Sequence, residues 1–201
     1  MAMILASQSP RRRELLGQMG FSFTVRPARG EELPHPELTP AQLVEELARQ
    51  KALEVSAEAA SDDVVMAADT VVAIDGKVLG KPHDKVHAAE MLSALSGREH
   101  TVYTGVAVKR GETLLVEHEA TQVRFRPLTE REIDLYIQTG EPMDKAGSYG
   151  IQGYGALLVE GIRGDYFNVV GLPICRLGRM LAQVGEDALA QCAQKCAEKE
   201  R

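Results

Sequence analysis

The chain has 201 residues, 44% of them hydrophobic, enough for one large domain or two lobes around a shared core. A formal charge of -6 and only 4% aromatics argue against a bulk nucleic-acid binder, which needs a basic face, and against a stacking platform for single strands. No apolar run reaches the ~18 residues of a membrane span, so no membrane partner is expected. The apolar start, residues 1–6, has no basic segment ahead of it and is too short for a secretory leader, so it reads as a strand. The three cysteines, Cys175, Cys192 and Cys196, lack metal-ligand spacing with histidines and fit reduced thiols in a cytoplasmic protein.

In chain order, residues 3–7 read as a buried strand. Pro10 suits the first turn of a helix that stops at Gly20. Residues 21–26 alternate as a second strand, and a loop follows to Pro36. Thr39 as N-cap and Pro40 behind it open a long amphipathic helix through Leu43, Leu47 and Leu53. The continuous apolar run 64–68 predicts a central strand that continues over 71–74 into a hairpin at Asp75-Gly76. Residues 86–95 read as a helix ended by Gly97, and 101–109 and 113–125 as long strands joined at Arg110-Gly111-Glu112. Thr129 with Glu132 forms a capping box for a helix ending at Gly140. A charged, glycine-rich loop over 141–153, a strand over 156–162 and a closing helix over 173–184 complete a domain of residues 1–185. Residues 186–201 read as a polar, alanine-rich tail, helical or frayed. Interleaved helices and strands with added hairpins predict an α/β fold with a mixed sheet.

Four runs concentrate the chemistry. In Ser7-Gln8-Ser9-Pro10-Arg11-Arg12-Arg13 a strand gives way to a helix start, where backbone N–H groups can hold an anion. Successive helical positions point about 100° apart, so Arg11, Arg12 and Arg13 cannot all reach one ligand; Arg11 and Arg12 are the candidates. A basic first turn opposes the helix dipole, and local rules tend to be broken at functional sites. Asp69 in Ala67-Ala68-Asp69-Thr70 ends a buried run, where ligands of α/β sheets bind. Its carboxylate suits a hard cation or proton abstraction from water, or simply a bond to its own turn. Lys81 in Gly80-Lys81-Pro82 offers a point charge for phosphate. By pattern alone, Lys51 sits on a solvated helix face and Glu31-Glu32 is an acidic loop pair. In the 141–153 loop, Asp144, Lys145 and Gln152 supply an acceptor, a cation and an amide able to read a base edge.

Taken together and in this order, these runs resemble the Maf family of nucleoside triphosphate pyrophosphatases. Ser96-Gly97-Arg98-Glu99-His100-Thr101-Val102-Tyr103-Thr104-Gly105 and Val169-Val170-Gly171-Leu172-Pro173 belong to the same resemblance, which spans residues 3–184. It implies an inosine triphosphatase-like α/β fold, a long curved mixed sheet flanked by helices in two lobes with a central cleft. It implies hydrolysis of a nucleoside triphosphate to monophosphate and pyrophosphate with a divalent cation, Mg²⁺ or else Mn²⁺ or Co²⁺. The family's catalytic aspartate maps onto Asp69, and its loop carboxylate, a metal ligand, onto Glu32, with Glu31 one step away in register. Its substrate-binding residues map onto Ser7, Arg12, Lys51 and Lys81, and its specificity positions onto Arg11, Thr70 and Gln152. Asp69 would be base, metal ligand or both. Arg11 and Gln152 match the branch acting on dTTP and UTP rather than on 7-methyl-GTP. A homodimer is compatible with the family. The rival readings are a house-cleaning enzyme for modified pyrimidine nucleotides and a nucleotide-sensing regulator of cell division. The charged set favours an enzyme, because a pure sensor needs no water-activating carboxylate.

Overall fold

The computed structural model describes residues 1–30, 35 and 37–199. Its elements are β1 (Met3–Leu5), α1 (Pro10–Gln18), β2 (Thr24–Val25), α2 (Pro40–Ser56), β3 (Val64–Ile74), β4 (Lys77–Leu79), α3 (Lys85–Leu95), β5 (Glu99–Arg110), β6 (Thr113–Phe125), α4 (Glu130–Gln138), β7 (Val159–Arg163), α5 (Tyr166–Val170), α6 (Ile174–Gln183) and α7 (Ala188–Lys199). The strands form one seven-stranded sheet in the order β2-β1-β3-β5-β6-β7, with β4 also paired to β3. β1 runs parallel to β2 and β3, and the other pairs are antiparallel, so the sheet is mixed as expected.

Period-2 alternation makes β3 serve both faces. Val65 and Ala67 pack with Ala107 under the small residues Ala48 and Ala52 of α2. On the opposite face, Met66 and Ala68 join a core with Leu15 and Leu16 of α1 and Leu177, Met180 and Leu181 of α6. Further along that face, Val72 and Ile74 join a second core with Leu92 and Leu95 of α3 and Ile133 and Ile137 of α4. Thr70 falls between the two cores. One strand therefore carries two lobes, and the polar break between them sits at the motif that ends the apolar run.

Several elements depart from the sequence expectations. β1 stops at Leu5, and Ser7 instead bonds the turn that follows, its Oγ accepting from Ser9 N at 3.2 Å. Only Thr24–Val25 of the predicted 21–26 strand pairs. Phe21 N donates to Leu16 O and Gly20 N to Gly17 O, which caps α1 with Gly20 at φ 86, so this backbone is used up before a ladder can start. Part of the predicted 156–162 strand is a 3₁₀ turn, Tyr154–Leu157, and β7 begins only at Val159. The 141–153 loop contains short 3₁₀ turns at Glu141–Asp144 and Ala146–Ser148. The helix α5 lay in no predicted element; its five residues are too few to show a period. The long helices, the Thr39 N-cap, the Thr129–Glu132 capping box and the Asp75-Gly76 turn, with φ of 51 and 74, fall where the sequence puts them; Gln42 completes a second capping box at Thr39, which lies outside the sequence expectations. α7 reaches back to the end of α1, where Cys192 Sγ donates to Met19 O at 2.6 Å.

His100 lies in the second core, 2% exposed, with Nε2 2.8 Å from the Tyr149 hydroxyl and edge-on contacts to Phe125 and Tyr149. Burial holds its pKa down, from 6.5 to about 4. The folded state thus keeps the imidazole neutral while the unfolded chain protonates below its ordinary value. This component of stability is present above the unfolded value and is lost as pH falls toward the folded one. Between pH 7 and pH 5 the loss should be about 2 kcal/mol, from 1.36 kcal/mol per unit of pKa difference. Urea unfolding at both pH values should show it in the wild type and not in His100→Gln. Equal losses in the two proteins would refute it.

Candidate active site

The edge of β3 is divided. β5 pairs along one side of it from Val65 to Ala73. On the other side β1 reaches only to Met66, and β4 begins only at Val72. Among the described residues, 67–71, including Asp69 and Thr70, therefore have no strand on that side. Such a gap exposes backbone polar groups that something must satisfy. Arg12 satisfies one of them, its guanidinium donating to Ala68 O at 2.8 Å.

Arg12 is 9% exposed, and further bonds from it radiate around the gap: to Gly171 O at 2.7 Å, Ser7 Oγ at 3.1 Å and Thr70 Oγ1 at 2.9 Å. The chain continues from Thr70 Oγ1 to Thr104 Oγ1 at 2.9 Å, and from there the Thr104 hydroxyl donates to Asn168 O at 3.0 Å. Ser7, Arg12 and Thr70 are thus one hydrogen-bonded unit between the two cores. Gly171 takes φ 121 to present its carbonyl, which favours glycine in that motif.

Asp69 points to the other face, toward α2, as its alternation with Ala68 and Thr70 requires. There Lys51 Nζ donates to Asp69 Oδ1 at 2.5 Å, both side chains half-buried. Lys51 is therefore not on the solvated face that its helix position suggested. Gly105, opposite Asp69 in register, explains how α2 comes so close. A Cβ at Gly105 would lie 2.1 Å from Val44 O, so α2 rests directly on the β5 backbone. Lys51 follows Val44 by two helical turns on the same face.

The 141–155 region forms the far wall. Arg11 Nη1 lies 3.3 Å from Asp144 Oδ2, and Lys145 Nζ donates to Asp144 Oδ1 at 2.6 Å and Glu141 O at 2.8 Å. Burial raises the pKa of Asp144, but the bonds and charges of Lys145 and Arg11 outweigh it and hold the carboxyl below its ordinary value. Gly147 N donates to Gly80 O at 3.0 Å, which ties the Gly80-Lys81-Pro82 run to this wall. Lys81 and Gln152 are exposed and make no hydrogen bond among the described residues. Arg13 also faces solvent. Glu31 and Glu32 lie outside the described residues.

Among the described residues no cluster of three or more His, Cys, Asp or Glu side chains can hold a metal. The hard oxygen donors of Asp69 do fit a Mg²⁺-type ion, which is usually held by one or two carboxylates together with substrate phosphates. No described helix is long and apolar enough to cross a membrane. Thr104 and Gly105 belong to a run of the family resemblance but have no role assigned by the sequence, and the sequence does not single out Asn168 at all. Only the glycine left a signal, as a residue without a side chain inside a strand.

The Maf-like protein family model matches residues 2–184. A relative from Moorella thermoacetica named dTTP/UTP pyrophosphatase is 55% identical, covering 92% of this chain and 96% of its own length. Relatives of the same name from Symbiobacterium thermophilum and Bacillus pumilus are each 54% identical, covering 91% of this chain and 94% and 96% of themselves. Among solved structures, a nucleoside-triphosphatase / dITP/XTP pyrophosphatase from Mycobacterium abscessus is similar at 18% identity and a TM-score of 0.44, covering 92% of this chain and 94% of its own. With the family model spanning residues 2–184 and a relative 55% identical over 92% of this chain and 96% of its own, the chain belongs to the Maf-like protein family.

Proposed function

We propose that this chain hydrolyses dTTP and UTP to the monophosphate and pyrophosphate. The observation that carries the proposal is the half-buried Asp69–Lys51 pair at a stretch of β3 whose one edge has no partner strand among the described residues, in a chain at least 54% identical to three proteins named for that activity. A gap in the sheet edge lets one ligand meet groups from both faces, Lys51 and Asp69 on one and the Arg12–Thr70 unit on the other.

In the reaction, water attacks the α-phosphorus, the bond to the bridging oxygen of the β-phosphate breaks, and pyrophosphate leaves. Asp69 orients the water and takes its proton. Lys51 fixes one carboxylate oxygen and adds positive charge beside the phosphates. Lys81 and Arg11 reach the triphosphate from the loop side, with Ser7 and Arg12 shaping the anion pocket at the start of α1. Among the described residues, Arg11 is held elsewhere only by a partly exposed pair to Asp144, worth about 1 kcal/mol at most, which a triphosphate can displace. A divalent cation held by Asp69 and Glu32 would supply charge neutralisation on the phosphate oxygens.

Gln152 both donates and accepts, which matches the O4 and N3–H edge shared by thymine and uracil. Cytosine presents a donor at that edge, and a purine needs more room. A substrate panel with Mg²⁺, read as pyrophosphate released, should put dTTP and UTP well ahead of ATP and GTP. Gln152→Ala should lose activity on dTTP and UTP selectively, by about tenfold or more, since unmet polar groups are costly. Preference for 7-methyl-GTP, or an equal loss on all substrates in Gln152→Ala, would sink the pyrimidine assignment.

A further inference from the structure

We propose that Glu141, together with Tyr136, is the positioning residue for the base-reading segment; this rests on the assignment of Gln152 above. Both oxygens of the Glu141 carboxylate are engaged by groups of the protein itself. It accepts the Tyr136 hydroxyl at 2.8 Å, Gly155 N at 2.9 Å and Tyr154 N at 2.8 Å. The Tyr136 oxygen in turn accepts Gly150 N at 3.1 Å. Both ends of segment 150–155 are therefore tied to one tyrosine–carboxylate pair, and Gln152 rides in the middle.

The anchor is rigid because Tyr136 is 5% exposed in the second core. The fit needs glycine at position 155, where a Cβ would lie 2.5 Å from Gly150 O and 2.7 Å from the Tyr136 oxygen; a Cβ at Gly153 would lie 2.0 Å from Glu141 Oε2 and would push that carboxylate aside. Burial raises the pKa of Glu141, yet the donated bonds from Gly155, Tyr136 and Tyr154 and the charge of Lys145 bring it below its ordinary value. The clamp is thus built for the ionised carboxylate. A reading amide discriminates only while it is held within about 0.5 Å and 20° of its productive pose. Glu141 and Tyr136 touch no reacting atom in this scheme; they act through Gln152.

The test uses Glu141→Gln, which replaces one acceptor oxygen with a donor, and Tyr136→Phe, which keeps the ring in its core. Amide hydrogen exchange on the free proteins should rise at least about tenfold at Tyr154 and Gly155 in Glu141→Gln and at Gly150 in Tyr136→Phe, while β3 stays protected. With Mg²⁺, the KM for dTTP should rise about tenfold, with kcat within about twofold. The preference for dTTP over ATP should narrow by about tenfold, the equivalent of one charge-assisted hydrogen bond. Unchanged exchange would overturn the clamp. Raised exchange with unchanged KM and preference, or kcat falling alike on both substrates, would overturn its link to recognition. A wild type with no preference for dTTP would instead fail the proposed function, while the exchange arm still decides the clamp.

Discussion

Asp69→Asn should reduce turnover of dTTP by about 10³-fold, the scale of losing a positioned proton acceptor, without unfolding the protein. The substitution keeps the shape and the hydrogen-bonding reach of the side chain. It removes the charge that holds a cation and the basicity that accepts a proton from water. The structural cost is that of weakening one half-buried ion pair, in which the Asn oxygen can still accept from Lys51. At about 1–2 kcal/mol, between the cost for an exposed pair and that for a buried one, that moves the melting temperature by about 2–8 °C in a chain of this size. Steady-state kinetics and thermal melting on the same preparation separate the two effects. A folded Asp69→Asn protein with near-normal turnover would remove Asp69 from the reaction.

The sequence announced the elements better than their meeting points. Long helices and hairpins showed themselves through caps, periodicity and turn residues, as at Thr39, Thr129 and Asp75-Gly76. The pairing of Lys51 with Asp69 had no local signal, because the two belong to different elements and meet only since Gly105 lets α2 settle onto β5. The gap in the β3 edge was equally invisible. It depends on where β1 and β4 stop pairing, which no property of residues 67–71 encodes. In the 141–155 region, glycines and charges marked something unusual. Which glycine packs against which carboxylate is a tertiary fact, and it delayed β7 by consuming the Tyr154 and Gly155 amides.

Arg12 and Lys81 carry similar expectations by sequence, yet the structure separates them. Arg12 is buried and gives hydrogen bonds to Gly171 O, Ala68 O, Ser7 Oγ and Thr70 Oγ1. Arg12→Ala strips the donors from two carbonyls and from the Thr70–Thr104 link between the lobes. That should cost about 3 kcal/mol, lowering the melting temperature by about 6–12 °C, together with a strong fall in kcat/KM. Arg12→Lys keeps the charge but not the fork, since one ammonium cannot span carbonyls presented from different elements, so it should recover little of the stability. Lys81 is exposed, with no hydrogen bond among the described residues, so Lys81→Ala should leave the melting temperature unchanged. If its charge meets the triphosphate, kcat/KM should still fall by about 10²-fold, as for loss of one group facing developing charge. The opposite pattern, with Arg12→Ala melting like the wild type and Lys81→Ala losing nothing, would return Lys81 to an ordinary solvated lysine. It would also deny Arg12 its part in holding the gap of β3 together.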